Sequence, residues 1–136
     1  MAEGTRPPKL GIALSLLAGI AIGSAVTGAL HAQVKPAVYS VDEAFADVDL
    51  SGVRDYANNY VPLTQASMKA YGGKVLAESS EVTTFSGNSP KRAAIVLWKN
   101  IDQFEAWYNS PEYTRAREIG GKYAQFHMFV VGAQSQ

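Results

Sequence analysis

The sequence contains no cysteine. That absence removes a disulfide framework, a thiol nucleophile and every zinc site built on thiolates. Export stays open, because a chain of 136 residues can bury a core without crosslinks. Histidine is scarce, with His31 and His127 the two copies. No charge of one sign dominates. Lys and Arg number 12 against 12 Asp and Glu, and beyond residue 32 the balance is 10 basic against 11 acidic side chains. Lys91-Arg92 is the only adjacent basic pair. A nucleic acid would find no positive face to neutralise its phosphates, so it is not expected as a partner. No phosphate loop, dinucleotide fingerprint or nucleophile elbow is present, and no cofactor is expected.

One long apolar run is present. From Leu10 to Leu30 the chain reads LGIALSLLAGIAIGSAVTGAL, uncharged throughout, with Arg6 and Lys9 before it and Ala29-Leu30-His31-Ala32 closing it. A basic start, an apolar middle and a small-residue exit are the parts of a secretory signal, with cleavage after Ala32. The rival reading is a retained anchor, since about 21 helical residues span roughly 30 Å, the hydrocarbon thickness of a bilayer. Gly19 and Gly23 form a small-residue pair that lets helices approach closely in lipid. Both readings put the rest of the chain outside the cytoplasmic membrane, secreted to the periplasm or anchored there, because the positive flank precedes the run. The division is therefore a signal or anchor over 1–32, a linker over 33–37, a folded domain over 38–133 and a tail over 134–136.

Within the domain the pattern predicts a strand over 38–48. Asp49 then offers capping chemistry. Val53, Tyr56, Ala57, Tyr60, Thr64, Met68 and Tyr71 recur at helical spacing, with Pro62 expected to kink or split the helix. Gly72-Gly73 supplies its exit. A second strand is expected over 74–85, and AAIVLW over 93–98 reads as a strand covered on both faces. Asn100 and Gln103 make a capping box for a helix whose buried stripe is Ile101, Phe104, Trp107 and Tyr108. Ser110-Pro111 restarts a helix that Gly120-Gly121 ends, and FHMFVV over 126–131 is the last strand. The order βαββαβ is that of an α+β, ferredoxin-like sandwich. Its four-stranded antiparallel sheet carries helices on one face and follows an N-terminal hydrophobic helix. The other sheet face needs a cover, and a second copy of the same sheet is the simplest one.

Three stretches carry a resemblance: Lys69-Ala-Tyr-Gly-Gly-Lys-Val-Leu-Ala77, Pro90-Lys91-Arg92, and Trp107-Tyr-Asn-Ser-Pro-Glu-Tyr113. They closely resemble the domain-of-unknown-function 1330 family, from about residue 38 to 132. That resemblance implies membership of the dimeric α/β-barrel superfamily, in which two ferredoxin-like sheets close on each other. The superfamily includes cofactor-free monooxygenases, haem-handling proteins and small-ligand binders. The apolar N-terminal run departs from the many cytosolic members.

Candidate site residues follow. Arg92 opens the buried strand and matches the family's basic position. Its planar fork could clamp a carboxylate, or it could pair with Glu81 or Glu112. His127 on the last strand could serve as a general base, against the plainer reading of a structural histidine. Trp98, Trp107, Tyr108, Tyr56 and Tyr60 give an aromatic-rich interior that could line a ligand pocket or simply be core. Asp42, Glu43 and Asp47 on the first strand and Glu78 and Glu81 on the second could share a proton or hold a cation, or could be a solvated strand end. No metal-site spacing is present. The leading expectation is a non-catalytic, dimeric, small-ligand-binding or accessory protein. The alternatives are a single-span accessory subunit docked on a membrane complex through Leu10 to Leu30, and a cofactor-independent oxygenase- or isomerase-like enzyme with Arg92 and His127 in its pocket.

Overall fold

The computed structural model of the protein describes Gly4 and residues 34–134. The expected N-terminal signal, anchor or hydrophobic helix lies outside the described residues, as does the end of the tail. Among the described residues, no helix is long and apolar enough to cross a membrane.

Four strands, β1 (Val38–Phe45), β2 (Lys74–Ser79), β3 (Arg92–Trp98) and β4 (Gln125–Gly132), form one antiparallel sheet in the order β2-β3-β1-β4. Three α-helices accompany them: α1 (Val61–Ala70), α2 (Ile101–Tyr108) and α3 (Pro111–Gly120). The sheet order and the βαββαβ sequence of elements are those of the ferredoxin-like fold. Two strands end earlier than the sequence suggests. β1 stops at Phe45 and β2 at Ser79, so Asp47 and Glu81 sit in loops and not on facing strands. Asp49 caps a single 3₁₀ turn, Leu50–Gly52, by accepting from the Ser51 N–H at 3.0 Å.

Pro62 acts differently from a simple break. It lacks an N–H and crowds the carbonyl four residues back. The chain answers with a π-helical turn, Tyr56–Tyr60, in which the Val61 N–H reaches the Tyr56 carbonyl, and α1 then starts around the proline. The wider turn still delivers the anticipated stripe, since Tyr56, Tyr60, Thr64 and Met68 are all buried. Gly72 leaves α1 with a positive φ of 85°, a conformation that suits glycine. Gly120 is small for another reason: a Cβ there would come within 2.6 Å of the Tyr60 ring and 2.8 Å of the Phe126 ring.

Alternation sorts the strand residues by face. Val38, Ser40, Ala44, Val96 and Trp98 are buried under the helices. On the opposite, open face the register aligns Leu97, Tyr39 and Val131 in one row and Ile95, Val41 and Phe129 in the next. Ile95, Phe129 and Val131 are 40, 41 and 49 % exposed on a single copy. The apolar run of β3 therefore does supply both faces, and the helices of the domain cover one of them.

Candidate functional site

The inward row of β1 is made of small side chains except at one position. Val38, Ser40 and Ala44 flank Asp42, and Ala94 lies beside it on β3. Small residues on the sheet and bulky ones on the helices leave a gap between the layers. That gap is a cavity with about 50 Å³ open to the centre of a water molecule. One water needs roughly 10–15 Å³ on this measure, so the space suits a small organic molecule or several waters. Its helical wall holds Tyr56, Tyr60, Thr64, Met68 and Tyr113, and its sheet wall holds Asp42, Ala94, Phe126 and Met128. Gln65, Glu78 and Arg92 add a polar rim.

Three buried polar atoms of the described residues have no hydrogen-bond partner: Asp42 Oδ1, Tyr56 OH and Thr64 Oγ1. All three residues line this one cavity. An unpartnered buried polar group costs about 1–3 kcal/mol, so such groups are rare away from sites that something else satisfies.

Asp42 is held from behind. The Trp98 indole N–H donates to Ser40 Oγ at 3.1 Å, and Ser40 Oγ–H donates to Asp42 Oδ2 at 3.5 Å. Burial in the apolar gap is the main influence on this carboxyl. It outweighs the Ser40 hydrogen bond, Glu78 adds repulsion, and the group is pushed up from 3.8 to about 7. The tyrosines move the same way and for the same main reason. Tyr56 rises to about 12, and Tyr60 and Tyr113 rise beyond the usual phenol range. At neutral pH these three phenols are hydrogen-bond donors, while Asp42 exchanges its proton freely.

Of the four sequence-predicted site residues the structure sets one, Arg92, at the cavity rim. His127 borders the cavity from β4, but the register puts its side chain on the open face beside Glu43 and Phe129. Arg92 forms an ion pair with Glu78, not with Glu81 or Glu112. Gln65 also donates to Glu78, at 3.0 Å. His127 pairs with Glu43 across the β1–β4 ladder, Nδ1 to Oε2 at 2.8 Å, and its side chain is 64 % exposed. Trp98 and Tyr108 are absent from the lining. Trp98 is fully buried against Phe104 and Trp107, and it touches the site only through Ser40. Tyr108 stacks on Phe104 beneath the Arg117 guanidinium, which lies 4.5 Å from its ring centroid.

The residues that sequence reasoning passed over are Asp42 as an inward-facing group and Thr64 and Tyr113 as part of the wall, whereas Tyr56 and Tyr60 are among the interior aromatics it singled out. A signal for Asp42 existed: it shares the parity of Val38, Ser40 and Ala44, the inward positions of β1. Among the described residues no group of three or more acidic or histidine side chains is placed to hold a metal ion.

Comparison with known proteins agrees with this architecture. A protein of unknown function from Rhodopseudomonas palustris superposes with a TM-score of 0.58 at 15 % identity, covering 82 % of this chain and 93 % of its own. SnoaB, a cofactor-independent oxygenase from Streptomyces nogalater, gives 0.54 at 13 % identity, over 74 % of this chain and 96 % of that one. A dimeric protein of unknown function and ferredoxin-like fold from Bacteroides fragilis gives 0.51 at 12 % identity, over 71 % and 96 %. At such identities the likeness shows the fold alone. Among curated proteins none matches. The family model described as a domain of unknown function (DUF1330) matches residues 44–134, which include every element from the end of β1 through β4, and the chain belongs to that family.

Proposed function

We propose that this domain binds a small, mostly apolar molecule bearing a polar group, in the cavity between its sheet and its helices, and that it does so as a homodimer paired through the open sheet faces. The observation that carries the binding reading is the convergence of three unpartnered buried polar atoms, from β1, the π-helical turn and α1, on one cavity. Apolar walls with a few placed polar groups are the ordinary composition of a ligand site. The dimer rests on the apolar rows of the open face. It is also supported by the dimeric state of the Bacteroides fragilis structure, which shares the fold.

The binding reading makes a signed prediction. Tyr56→Phe keeps the ring and removes an unpartnered hydroxyl. The free protein should then gain stability, by about 1 kcal/mol or more. Binding should weaken for small oxygenated compounds, screened by ligand-observed NMR against the full-length protein. A hydroxyl with only a structural role gives the opposite pattern. Lower stability with unchanged binding would overturn the proposal.

A further inference from the structure

The cavity has two chemically distinct walls. The sheet wall carries one carboxyl group without an ionic partner, Asp42, whose Oδ1 is buried and unpartnered and whose Oδ2 is tied back through Ser40 to Trp98, while Glu78 at the rim is paired with Arg92. The helical wall carries hydroxyl donors, of which Tyr56 OH and Thr64 Oγ1 are unpartnered. A base on one wall and neutral O–H donors on the other do not suit a ligand that ionises at a single oxygen, because base and donors would have to meet at one atom. They suit a ligand whose acidic hydrogen and whose charge-accepting oxygen lie on different atoms.

We propose that Asp42 exchanges a proton with a carbon atom next to the carbonyl group of a small ligand, while Tyr56 and Thr64 hold the carbonyl oxygen. The inference rests on the ligand-binding reading above. In the forward step a C–H bond breaks and its proton forms an O–H bond at Asp42 Oδ1. The electron pair left on carbon moves into the C–C bond, and the carbonyl π pair moves to oxygen, giving an enolate that accepts hydrogen bonds from Tyr56 and Thr64. Return of the proton to the same carbon is exchange. In a β,γ-unsaturated carbonyl compound, return to the γ carbon shifts the double bond into conjugation. Neither outcome needs an oxidant, a reductant or a metal.

The environment favours this use of Asp42. Burial brings its proton affinity close to neutrality, where a group is effective both as acceptor and as donor. The charged and titratable groups around it are Glu78 from β2, Arg92 from β3, Tyr56 and Tyr60 from the π-helical turn and Tyr113 from α3, while β4 turns Phe126 and Met128 inward and α1 supplies Thr64 and Met68. The tyrosines stay protonated, so they do not compete as bases. Arg92 and Glu78 neutralise each other at the rim. Ser40 is a positioning residue, since it acts on the ligand only through Asp42.

The test uses pentane-2,4-dione as the probe and the full-length protein. Its exchange of C–H for C–D in deuterated buffer is followed by NMR, and its binding by saturation transfer. The wild type should bind the probe and accelerate exchange above buffer. The acceleration should rise with pH to a plateau, with a midpoint matching the Asp42 carboxyl titration read by carbon NMR. Asp42→Asn should still bind while losing the acceleration, by about a hundredfold or more. Ser40→Ala should move the midpoint upward. An Asp42→Asn protein that retains the acceleration overturns the inference. So does a wild type that binds the probe without accelerating exchange, and in that case the ligand-binding reading stands. A wild type that does not bind the probe overturns the carbonyl assignment, and the Tyr56→Phe experiment then decides the binding reading separately.

Discussion

Asp42→Asn should make the protein more stable above neutral pH, and the size of the gain follows from the site. The carboxyl is raised from 3.8 to about 7 by burial. Between those values the folded state holds a proton that the unfolded state has lost. The unfolded state binds fewer protons there, so stability falls as pH rises through the window and levels off above the folded value. A difference of about 3 pH units at about 1.4 kcal/mol each gives a ceiling near 4 kcal/mol. Between pH 5 and pH 8 the same linkage predicts that the wild type loses about 2–3 kcal/mol at this residue. The amide has no such titration. Other groups, such as Asp49 and Asp55 with their lowered carboxyls, titrate alike in both proteins and cancel in the comparison. Urea unfolding of the two proteins at a series of pH values measures the difference directly. The wild type should fall below Asp42→Asn as pH rises, and the gap should stop growing above about pH 8. Ser40→Ala should widen the gap, because the Ser40 hydrogen bond is the one influence here that lowers the carboxyl. Parallel curves with no divergence would refute the claim that Asp42 is held in a desolvating cavity.

Two further predictions concern the surface and the address of the chain. Phe129→Asp places a charge in the middle of the open face, in the row with Val41 and Ile95. If two copies pair there over an interface on the order of 1,600 Å², light scattering should report loss of the dimer with the domain still folded. A wild-type monomer at micromolar concentration would refute the pairing. From the Arg6 and Lys9 flank before Leu10 to Leu30 we propose that the domain lies outside the cytoplasmic membrane. A reporter active only in the cytoplasm, fused after Gln136, should be silent, and activity there would overturn that proposal.

What the sequence determined by itself is the local and periodic part. Helical spacing marked the buried stripe of the π-helical turn and α1, Tyr56, Tyr60, Thr64 and Met68. Asn100 and Ser110 gave the starts of α2 and α3, where each side chain accepts from a backbone N–H. The βαββαβ order gave the sheet topology, because few arrangements of these elements bury both helices and strands. All of this depends on neighbours a few residues apart. The strand ends were less legible: β1 and β2 stop where ladder partners stop, and pairing is a property of two segments. Only the tertiary structure decided the site. Asp42, the stripe from Tyr56 to Thr64, and Tyr113 lie far apart in the chain, and nothing local marks the three as a group. Trp98 and Tyr108 looked equally suitable by composition, yet packing against Phe104 put Trp98 in the core and Tyr108 beneath Arg117. The chemistry of Asp42 was decided last of all. Its proton affinity is set by how much water the folded layers exclude, and that quantity does not exist until sheet and helices meet.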